Sequence, residues 1–294
     1  LFRRQRQMCI RDRSKITGKV NALLKILENK TDITPHLGIG HTRWATHGIP
    51  NEINAHPHSS NSGKLFMVHN GIIENYDTLK MELIHRGYSF YSDTDSEVLV
   101  NLIQEIQVKD NIKLADAVQL ALNQVVGAYG IVVCDIFNPE ELIVARLGSP
   151  LAIGLGENSF YVGSDATPFL DYTRKVVYLE DNEMAVLSKN GEINIKNIIS
   201  DESIHPYVEE LQWSLNSIQK GGFEHFMLKE IHEQPKAISD TLRGRLLVGQ
   251  GKIQINSINE YKYKFLNAKR IIFVACGTSW HASLVGEYLF EYFI

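Results

Sequence analysis

The stretch LFMVHNGIIEN, residues 65–75, decides how the chain is interpreted. It opens with the apolar run 65–68, which predicts a short buried β-strand. The pair Asn70 and Gly71 follows. Asn-Gly pairs favour tight turns, but an Asn amide and a Gly backbone N–H can also hold an oxyanion. Both interpretations of the pair are open from these residues alone.

Downstream, SDTDSE (residues 92–97) predicts a helix start. Thr94 and Glu97 have capping-box spacing, and apolar residues follow at helical intervals. A second helix is predicted over 114–126, and Asn190-Gly191 predicts a hairpin turn. Strand-like runs separated by Gly, Pro and Asn lie at 131–133, 142–144, 151–153, 160–162, 176–179 and 184–187. Helices followed by many closely spaced strands indicate an α+β fold with segregated layers.

Upstream, residues 15–30 carry apolar side chains on one helical face and predict an amphipathic helix. The stretch 36–75 is rich in His, Asn, Gly and Pro, which is typical of functional loops set on strands. It contains HTRWATHG (41–48) and NAHPH (54–58). His56 and His58 have a spacing that metal sites sometimes use, but no carboxylate or cysteine cluster accompanies them. We therefore favour hydrogen-bonding histidines and expect no metal or organic cofactor.

Composition excludes several classes of protein. The 294 residues are 44% hydrophobic and 22% charged, as in ordinary soluble proteins. The apolar runs are too short to span a bilayer, and three widely spaced cysteines argue against a disulfide scaffold. We expect a cytoplasmic protein with neither a nucleic-acid nor a membrane partner.

The first thirteen residues, LFRRQRQMCIRDR, differ from the rest of the chain. They hold five arginines against one aspartate, so the net charge without them is −8 rather than −4. A basic arm for nucleic acid or lipid is one interpretation. The string also resembles translated sequencing-adapter tails, and we therefore expect residues 1–13 to be a non-native tail.

Two charged residues complete a plausible amino-acid site. The planar fork of Arg43 suits a carboxylate. Asp95, at a predicted helix start, could pair with an ammonium group, although helix capping would explain its position equally well.

Together HTRWATHG, NAHPH, VHNGIIEN, SDTDSE, GAYG and HFMLKEIHEQP resemble the glutaminase domain of the glutamine:fructose-6-phosphate aminotransferases (isomerizing). The resemblance implies a four-layer αββα sandwich of the N-terminal-nucleophile hydrolases, here truncated, whose partners are glutamine and fructose 6-phosphate. It implies an oxyanion hole at Asn70 and Gly71, and a homodimer for the intact parent. The remaining roles implied are glutamine binding by Arg43, Thr46, His47 and Asp95, and gating of an ammonia channel by Trp44.

The resemblance fails at the N-terminus. Members of that family begin with Cys-Gly-Ile-Val-Gly, whose cysteine attacks glutamine with its own α-amine as the base. Cys9 is followed by Ile-Arg-Asp-Arg and has no free amine, so it is not assigned as nucleophile. Cys134 lies in an apolar run and is predicted to be core. Since covalent amide hydrolysis needs the thiolate, we expect the 294-residue polypeptide to be inactive and the intact parent to be the enzyme.

The C-terminal residues support the same family. The apolar run 270–275 predicts a strand leading through Cys276 into Gly277, Thr278 and Ser279 and a helix. Helix N–H groups and hydroxyls form anion sites, and the arrangement resembles the start of an α/β sugar-isomerase (SIS) domain. The resemblance then implies that Gly277, Thr278 and Ser279 bind the sugar phosphate.

The domain prediction follows. Residues 14–198 would form the glutaminase domain, 199–263 a connector, and 264–294 the first strand and helix of the SIS domain. Two alternatives stay open: another glutaminase of the superfamily, such as an amidophosphoribosyltransferase or asparagine synthase, and a non-catalytic protein that binds glutamine or acts as a scaffold.

Overall fold

The computed structural model describes residues 13–18, 20–28, 36–43, 47–211, 222–242, 246–247, 251–253 and 261–293. The chain divides into two compact units, Leu1–Ile218 and Gln219–Ile294. Within the described ranges, every helix is too short or too polar to cross a bilayer.

The first unit consists of two antiparallel sheets and a layer of helices. Its described helices are α1 (Val20–Glu28), α2 (Tyr76–His85), α3 (Asp95–Asp110) and α4 (Leu114–Leu122). Its strands are β1 (His58–Ser59), β2 (Leu65–Ile73), β3 (Gly127–Asp135), β4 (Asn138–Leu147), β5 (Ala152–Leu155), β6 (Phe160–Gly163), β7 (Lys175–Tyr178), β8 (Glu183–Ser188), β9 (Ile193–Asn197), β10 (Ser203–Ile204) and β11 (Glu209–Glu210). The seven-stranded sheet has the order β1-β2-β3-β4-β8-β9-β10, and the four-stranded sheet has the order β11-β7-β5-β6.

Three apolar clusters hold the layers together. One face of the larger sheet packs on α2, α3 and α4 through fully buried side chains such as Met67 and Leu99. The other face packs on the smaller sheet, where Val144 meets Ile153 in the second cluster. The outer face of the smaller sheet carries a third cluster around Phe169, in the 3-10 helix Thr167–Phe169. The α+β prediction with segregated layers is confirmed.

Strand β2 extends further than its apolar residues predicted. It continues through His69 to Ile73 and pairs with β3 along its whole length, with Asn70 opposite Gly130 and Gly71 opposite Tyr129. The turn interpretation of Asn70-Gly71 is therefore wrong, because the pair lies inside a strand.

Local signals did better where the partner was close in sequence. The predicted helix start is confirmed, with one half of the capping box: Thr94 Oγ1 accepts from the Glu97 N–H at 3.3 Å, and α3 begins at Asp95. The Glu97 carboxylate accepts from the N–H groups of Tyr91 and Ser92. The turn at Asn190-Gly191 is also confirmed, since it joins the paired strands β8 and β9.

Other predicted bounds were shorter or missed. Helix α1 covers 20–28 of the predicted 15–30, and α4 ends at Leu122 rather than at residue 126. Helix α2 was not predicted, because only Leu79 and Leu83 on it are buried and its apolar periodicity is weak.

The second unit contains three described helices, Phe226–Leu242, Lys262–Leu266 and Thr278–Phe293, and the strand pair Leu246–Leu247 with Lys252–Ile253. The predicted strand at 270–275 is wrong: these residues form no strand, and Val274 is 90% exposed. In the described part of this unit, no strand pairs with the run, and an apolar sequence alone does not make a ladder. The helix predicted after Gly277 is confirmed.

Candidate active site

Strand β2 places Asn70 and Gly71 on a closely packed backbone. Gly71 has φ = 141°, and a Cβ on it would lie 2.0 Å from the carbonyl oxygen of Ala128 on β3. Only glycine tolerates that dihedral and that approach. The Asn70 side chain is exposed, and Gly71 is half-buried. The two predicted oxyanion donors are therefore held on a rigid strand with Asn70 facing solvent.

Asp95 lies beside the same strand. It is the first residue of α3 and is 3% exposed. Its Oδ2 accepts from the backbone N–H of Ile73 at 2.8 Å, and its Oδ1 accepts from the Ser96 N–H at 2.9 Å. The carboxylate thus both caps the helix and binds the end of β2, so the structure brings together Asp95 and the strand of Asn70 and Gly71.

His69 supports this arrangement from the buried side. It precedes Asn70 on β2 and points into the helix layer, where its Nδ1 lies 2.9 Å from Ser96 Oγ and 4.0 Å from Asp95 Oδ2. Burial lowers the pKa of His69, and the nearby Asp95 carboxylate opposes that shift. Sequence reasoning assigned no role to His69; the alternation of β2, once its full length is known, puts it behind Asp95.

The loop that carries Arg43 and His47 is bound to itself. Arg43 has φ = 48°, and its guanidinium donates to the carbonyls of His47 at 2.5 Å and Gly48 at 3.2 Å. The His47 ring lies edge-on to Tyr76, at a centroid distance of 4.9 Å. Tyr76 begins α2, just after β2, so His47 reaches the end of the strand that carries Asn70. Trp44 and Thr46, also predicted for the site, lie outside the described residues.

The histidines of NAHPH form an edge-to-face group with His41. The ring centroids of His41 and His56 are 4.4 Å apart, and those of His56 and His58 are 4.8 Å apart. Burial is the main cause that lowers the pKa of His56 to about 2 and that of His58 to about 3. In the parts of the chain that are described, no three His, Cys, Asp or Glu side chains are arranged to hold a metal ion. His41 Nδ1 accepts from the Arg43 N–H at 2.9 Å and His58 Nε2 lies 3.2 Å from Thr94 Oγ1, whereas the buried His56 Nδ1 has no hydrogen-bond partner among the described residues.

Cys134, the described cysteine of the first unit, lies on β3 four residues beyond Gly130, the strand partner of Asn70. Cys134 is 4% exposed on β3, and burial raises its pKa to about 11, so its thiol is not an available nucleophile. The prediction that Cys134 is core is confirmed. Cys9 lies outside the described residues.

Gly277, Thr278 and Ser279 are exposed at the start of the Thr278–Phe293 helix in the second unit. Gly277 has φ = 60°, and its carbonyl accepts from the His281 N–H at 3.3 Å. This places the three residues together at a helix N-terminus.

The family of the chain follows from its similarity to known proteins. The model of the glutamine amidotransferase domain family matches residues 28–225. A glutamine--fructose-6-phosphate aminotransferase [isomerizing] of Bacteroides thetaiotaomicron is 51% identical over 279 residues, which cover 95% of this chain and 45% of that protein. The protein of the same name from Chlorobaculum tepidum is 53% identical over 258 residues, 87% of this chain and 42% of the relative.

Among solved structures, a glutamine phosphoribosylpyrophosphate amidotransferase from B. subtilis is 28% identical, with a TM-score of 0.45, over 54% of this chain and 34% of that one. The chain spans less than half the length of the curated relatives it matches. Since the family model matches residues 28–225, more than half of the chain, this chain belongs to the glutamine amidotransferase domain family.

Proposed function

We propose that the chain is the glutaminase part of a glutamine:fructose-6-phosphate aminotransferase, with residues 14–198 as the glutaminase domain. The observation that carries the proposal is the bond from the Ile73 N–H to Asp95 Oδ2 at 2.8 Å. It joins a carboxylate suited to an ammonium group to the strand that holds the two oxyanion donors, Asn70 and Gly71. A free α-amino acid with a side-chain amide presents groups for both.

In this proposal glutamine is held at its charged end by Arg43 and Asp95. Arg43 binds the α-carboxylate, with Thr46 and His47 nearby, and Asp95 binds the α-ammonium group. A guanidinium–carboxylate contact is charge-assisted and bidentate, which fixes orientation as well as affinity. Arg43 would exchange its bonds to the carbonyls of its own loop for bonds to the substrate.

The chemistry proposed at the side-chain amide is acyl transfer to a thiolate. The thiolate attacks the amide carbon, and negative charge moves to the carbonyl oxygen, where the Asn70 amide and the Gly71 N–H stabilise it. Removal of one such donor typically lowers kcat by about 10²–10³. As the tetrahedral intermediate collapses, the proton that the α-amine of the nucleophilic cysteine took from its thiol passes to the amide nitrogen, so ammonia leaves and a thioester remains. Water hydrolyses the thioester to glutamate and the free thiol. The family resemblance implies that the thiolate belongs to an N-terminal cysteine; Cys134 is buried on β3 and is not a candidate.

The proposed acceptor of the ammonia is fructose 6-phosphate, which would yield glucosamine 6-phosphate. Trp44 would gate the passage of ammonia. Gly277, Thr278 and Ser279 would contact the sugar phosphate, and their place at a helix N-terminus supports this because backbone N–H groups there attract anions. Residues 199–263 would connect the two activities, and residues 264–294 would begin the SIS domain. We propose a cytoplasmic homodimer for the intact parent.

A second candidate is a glutamine-binding protein without hydrolysis. It is favoured by one observation: in the described part of the first unit, the cysteine is Cys134, with a raised pKa and a side chain in the core. Binding would then use Arg43 and Asp95 as above, with no acyl intermediate.

A titration followed by an assay distinguishes these candidates. L-Glutamine titrated calorimetrically into the 294-residue protein should bind, and Asp95→Asn should weaken binding at least tenfold. The matched control is Asp135→Asn, which alters another buried carboxylate, ion-paired with Lys64 at 3.1 Å, and should leave the affinity unchanged. Release of glutamate is then assayed with the product of the native gene, after sequencing upstream of Ser14.

Glutamate release that depends on an N-terminal cysteine supports the enzyme. Binding without release by the native gene product supports the glutamine binder. Absence of glutamine binding in both proteins contradicts both candidates.

A further inference from the structure

We infer that Asn54 is a positioning residue, which holds the Arg43 loop against the turn before α3 and so sets the separation of Arg43 from Asp95. The inference rests on the proposed function, because it concerns the two groups proposed to bind the charged ends of glutamine. Asn54 is 1% exposed.

The side-chain amide of Asn54 links two segments that are far apart in sequence. Its Nδ2 donates to the carbonyl of Ile49 at 3.0 Å and to Asp93 Oδ2 at 3.0 Å, and its Oδ1 accepts from the Asp93 N–H at 3.0 Å. Its own N–H donates to Asn51 Oδ1 at 2.7 Å. Both polar atoms of the side-chain amide therefore bond either to the Arg43 loop or to the turn before α3.

Each end of this linkage leads directly to a proposed glutamine ligand. On one side, Ile49 and its neighbours Gly48 and His47 offer the carbonyls to which the Arg43 guanidinium donates. On the other side, Asp93 is followed by the capping residue Thr94 and then by Asp95. Asn54 is therefore hydrogen-bonded to both segments that carry the proposed ligands, the one of Arg43 and the one of Asp95.

Gly48 shows how closely the loop approaches. It has φ = 70°, and a Cβ built on it would lie 2.5 Å from Asn54 Nδ2 and 2.8 Å from Asp93 Cβ. The last residue of HTRWATHG thus packs directly on the Asn54–Asp93 pair, with no room for a side chain. This contact is independent of the hydrogen bonds and indicates the same junction.

The Asn54 link would preorganise Arg43 and Asp95 for the two charged ends of glutamine. A ligand held by a cation at one end and a carboxylate at the other binds well only if the two protein groups are already at the correct spacing. A loop released from Asn54 would have to be ordered again by the ligand, and affinity would fall.

Asn61, which is exposed, provides a control for the hydrogen-bonding pattern within the same unit. Its side chain makes a similar two-bond link, since Nδ2 donates to the Ser89 carbonyl at 2.6 Å and Oδ1 accepts from the Ser89 N–H at 2.9 Å. It joins turns that carry none of the proposed glutamine ligands. Loss of either link removes the same kind of amide contact, but only the Asn54 link touches the proposed site.

The test compares Asn54→Ala, Asn54→Asp and Asn61→Ala by calorimetric titration with L-glutamine. We expect Asn54→Ala to weaken binding at least tenfold and Asn61→Ala to change it less than twofold. Asn54→Asp should be worse than Asn54→Ala, because it sets a carboxylate against Asp93. The double change Asn54→Asp with Asp93→Asn restores the amide–carboxylate pair and should recover part of the loss of glutamine affinity, which a defect unrelated to the Asn54–Asp93 contact would not.

Equal effects of Asn54→Ala and Asn61→Ala on glutamine affinity would overturn the inference, and so would no effect of either. If neither the unsubstituted chain nor the native gene product binds glutamine, the proposed function fails, and amide hydrogen exchange then decides the positioning claim. Faster exchange at 47–49 and 93–95 in Asn54→Ala than in Asn61→Ala supports it, and unchanged exchange overturns it.

Discussion

Two regions of the molecule share one sequence pattern and have different structures. Residues 65–71 and residues 270–279 are each an apolar run followed by small polar residues. The first is part of β2, with β1 on one side and β3 on the other. The second is not a strand, and its side chains from Ile271 to Val274 are 41–90% exposed.

The difference shows that a β-strand is made by its neighbours. Leu65, Met67 and Ile73 of β2 pack on the helix layer and Val68 packs on the smaller sheet, while β3 exchanges backbone hydrogen bonds with the strand. The run 270–275 has comparable residues, but nothing in the described residues of its unit pairs with them. Pairing also carried Asn70 and Gly71 into a strand where local preference alone predicted a turn.

The largest effect on stability is expected from substitution of Gly71, compared with Gly277 in the second region. Gly71→Ala sets a Cβ 2.0 Å from the Ala128 carbonyl and forces alanine to φ = 141°. We expect a loss of about 3 kcal/mol or more in the free energy of unfolding. Gly277→Ala has φ = 60° and nothing within 4 Å of the new Cβ, so it should cost about 1–2 kcal/mol at most. Urea unfolding measures both, and equal losses would contradict the close approach of β2 and β3.

The next effect tests the packing difference. Met67 is 0% exposed, so Met67→Ala should lower the free energy of unfolding by about 2–5 kcal/mol. Ile272 is 63% exposed, and Ile272→Ala should change it by less than about 0.5 kcal/mol. Thermal unfolding followed by circular dichroism gives both values. A large loss with Ile272→Ala would mean that the second run is buried in solution.

Elements that depend on local contacts were predictable from the sequence. The helix start at Thr94 and the hairpin at Asn190 were predictable because each depends on residues three or fewer positions away. The length of β2 depends on β3, about 60 residues later, and was not predictable.

The same limit applies to the candidate site. The residue types of Arg43, Asp95, Asn70 and Gly71 indicate amino-acid chemistry without any structure. Asn54 and His69 were not assigned roles, because their partners Asp93 and Ser96 lie 39 and 27 residues away in sequence.

A smaller effect is expected from pH. Burial, with the nearby imidazoles and Arg43 adding to it, lowers the pKa of His56 to about 2 in the folded chain, against 6.5 for a free histidine. As the pH falls, the unfolded state therefore binds the proton first. The stabilisation that comes from neutral His56 is fully present above pH 6.5 and is lost as the pH drops below it. The slope is about 1.4 kcal/mol per pH unit for one such histidine.

Between pH 7 and pH 5, the chain should lose about 2 kcal/mol more than His56→Gln does. Urea unfolding at several pH values measures this difference. His281, on the exposed helix of the second unit, supplies the control: His281→Gln should lose as much as the unsubstituted chain. Parallel curves for His56→Gln and the unsubstituted chain would show that His56 protonates without penalty.

The smallest effect concerns the two helix starts. Thr94 Oγ1 accepts from the Glu97 N–H at the start of α3, so Thr94→Ala should cost about 1 kcal/mol. Thr278 is exposed at the start of the other helix, and Thr278→Ala should cost less than about 0.5 kcal/mol. Thermal melts at matched concentration give the comparison, and a reversed order would contradict the capping contact.

The central claim is that the strand of Asn70 and Gly71, with Asp95 bound to its end, is where glutamine binds. Amide hydrogen exchange of the 294-residue protein, with and without saturating L-glutamine, tests it most directly. We predict slower exchange at 69–73 and 92–97 in the presence of L-glutamine and no change at 270–276. Unchanged exchange at 69–73 and 92–97, or equal slowing in both regions, would contradict it.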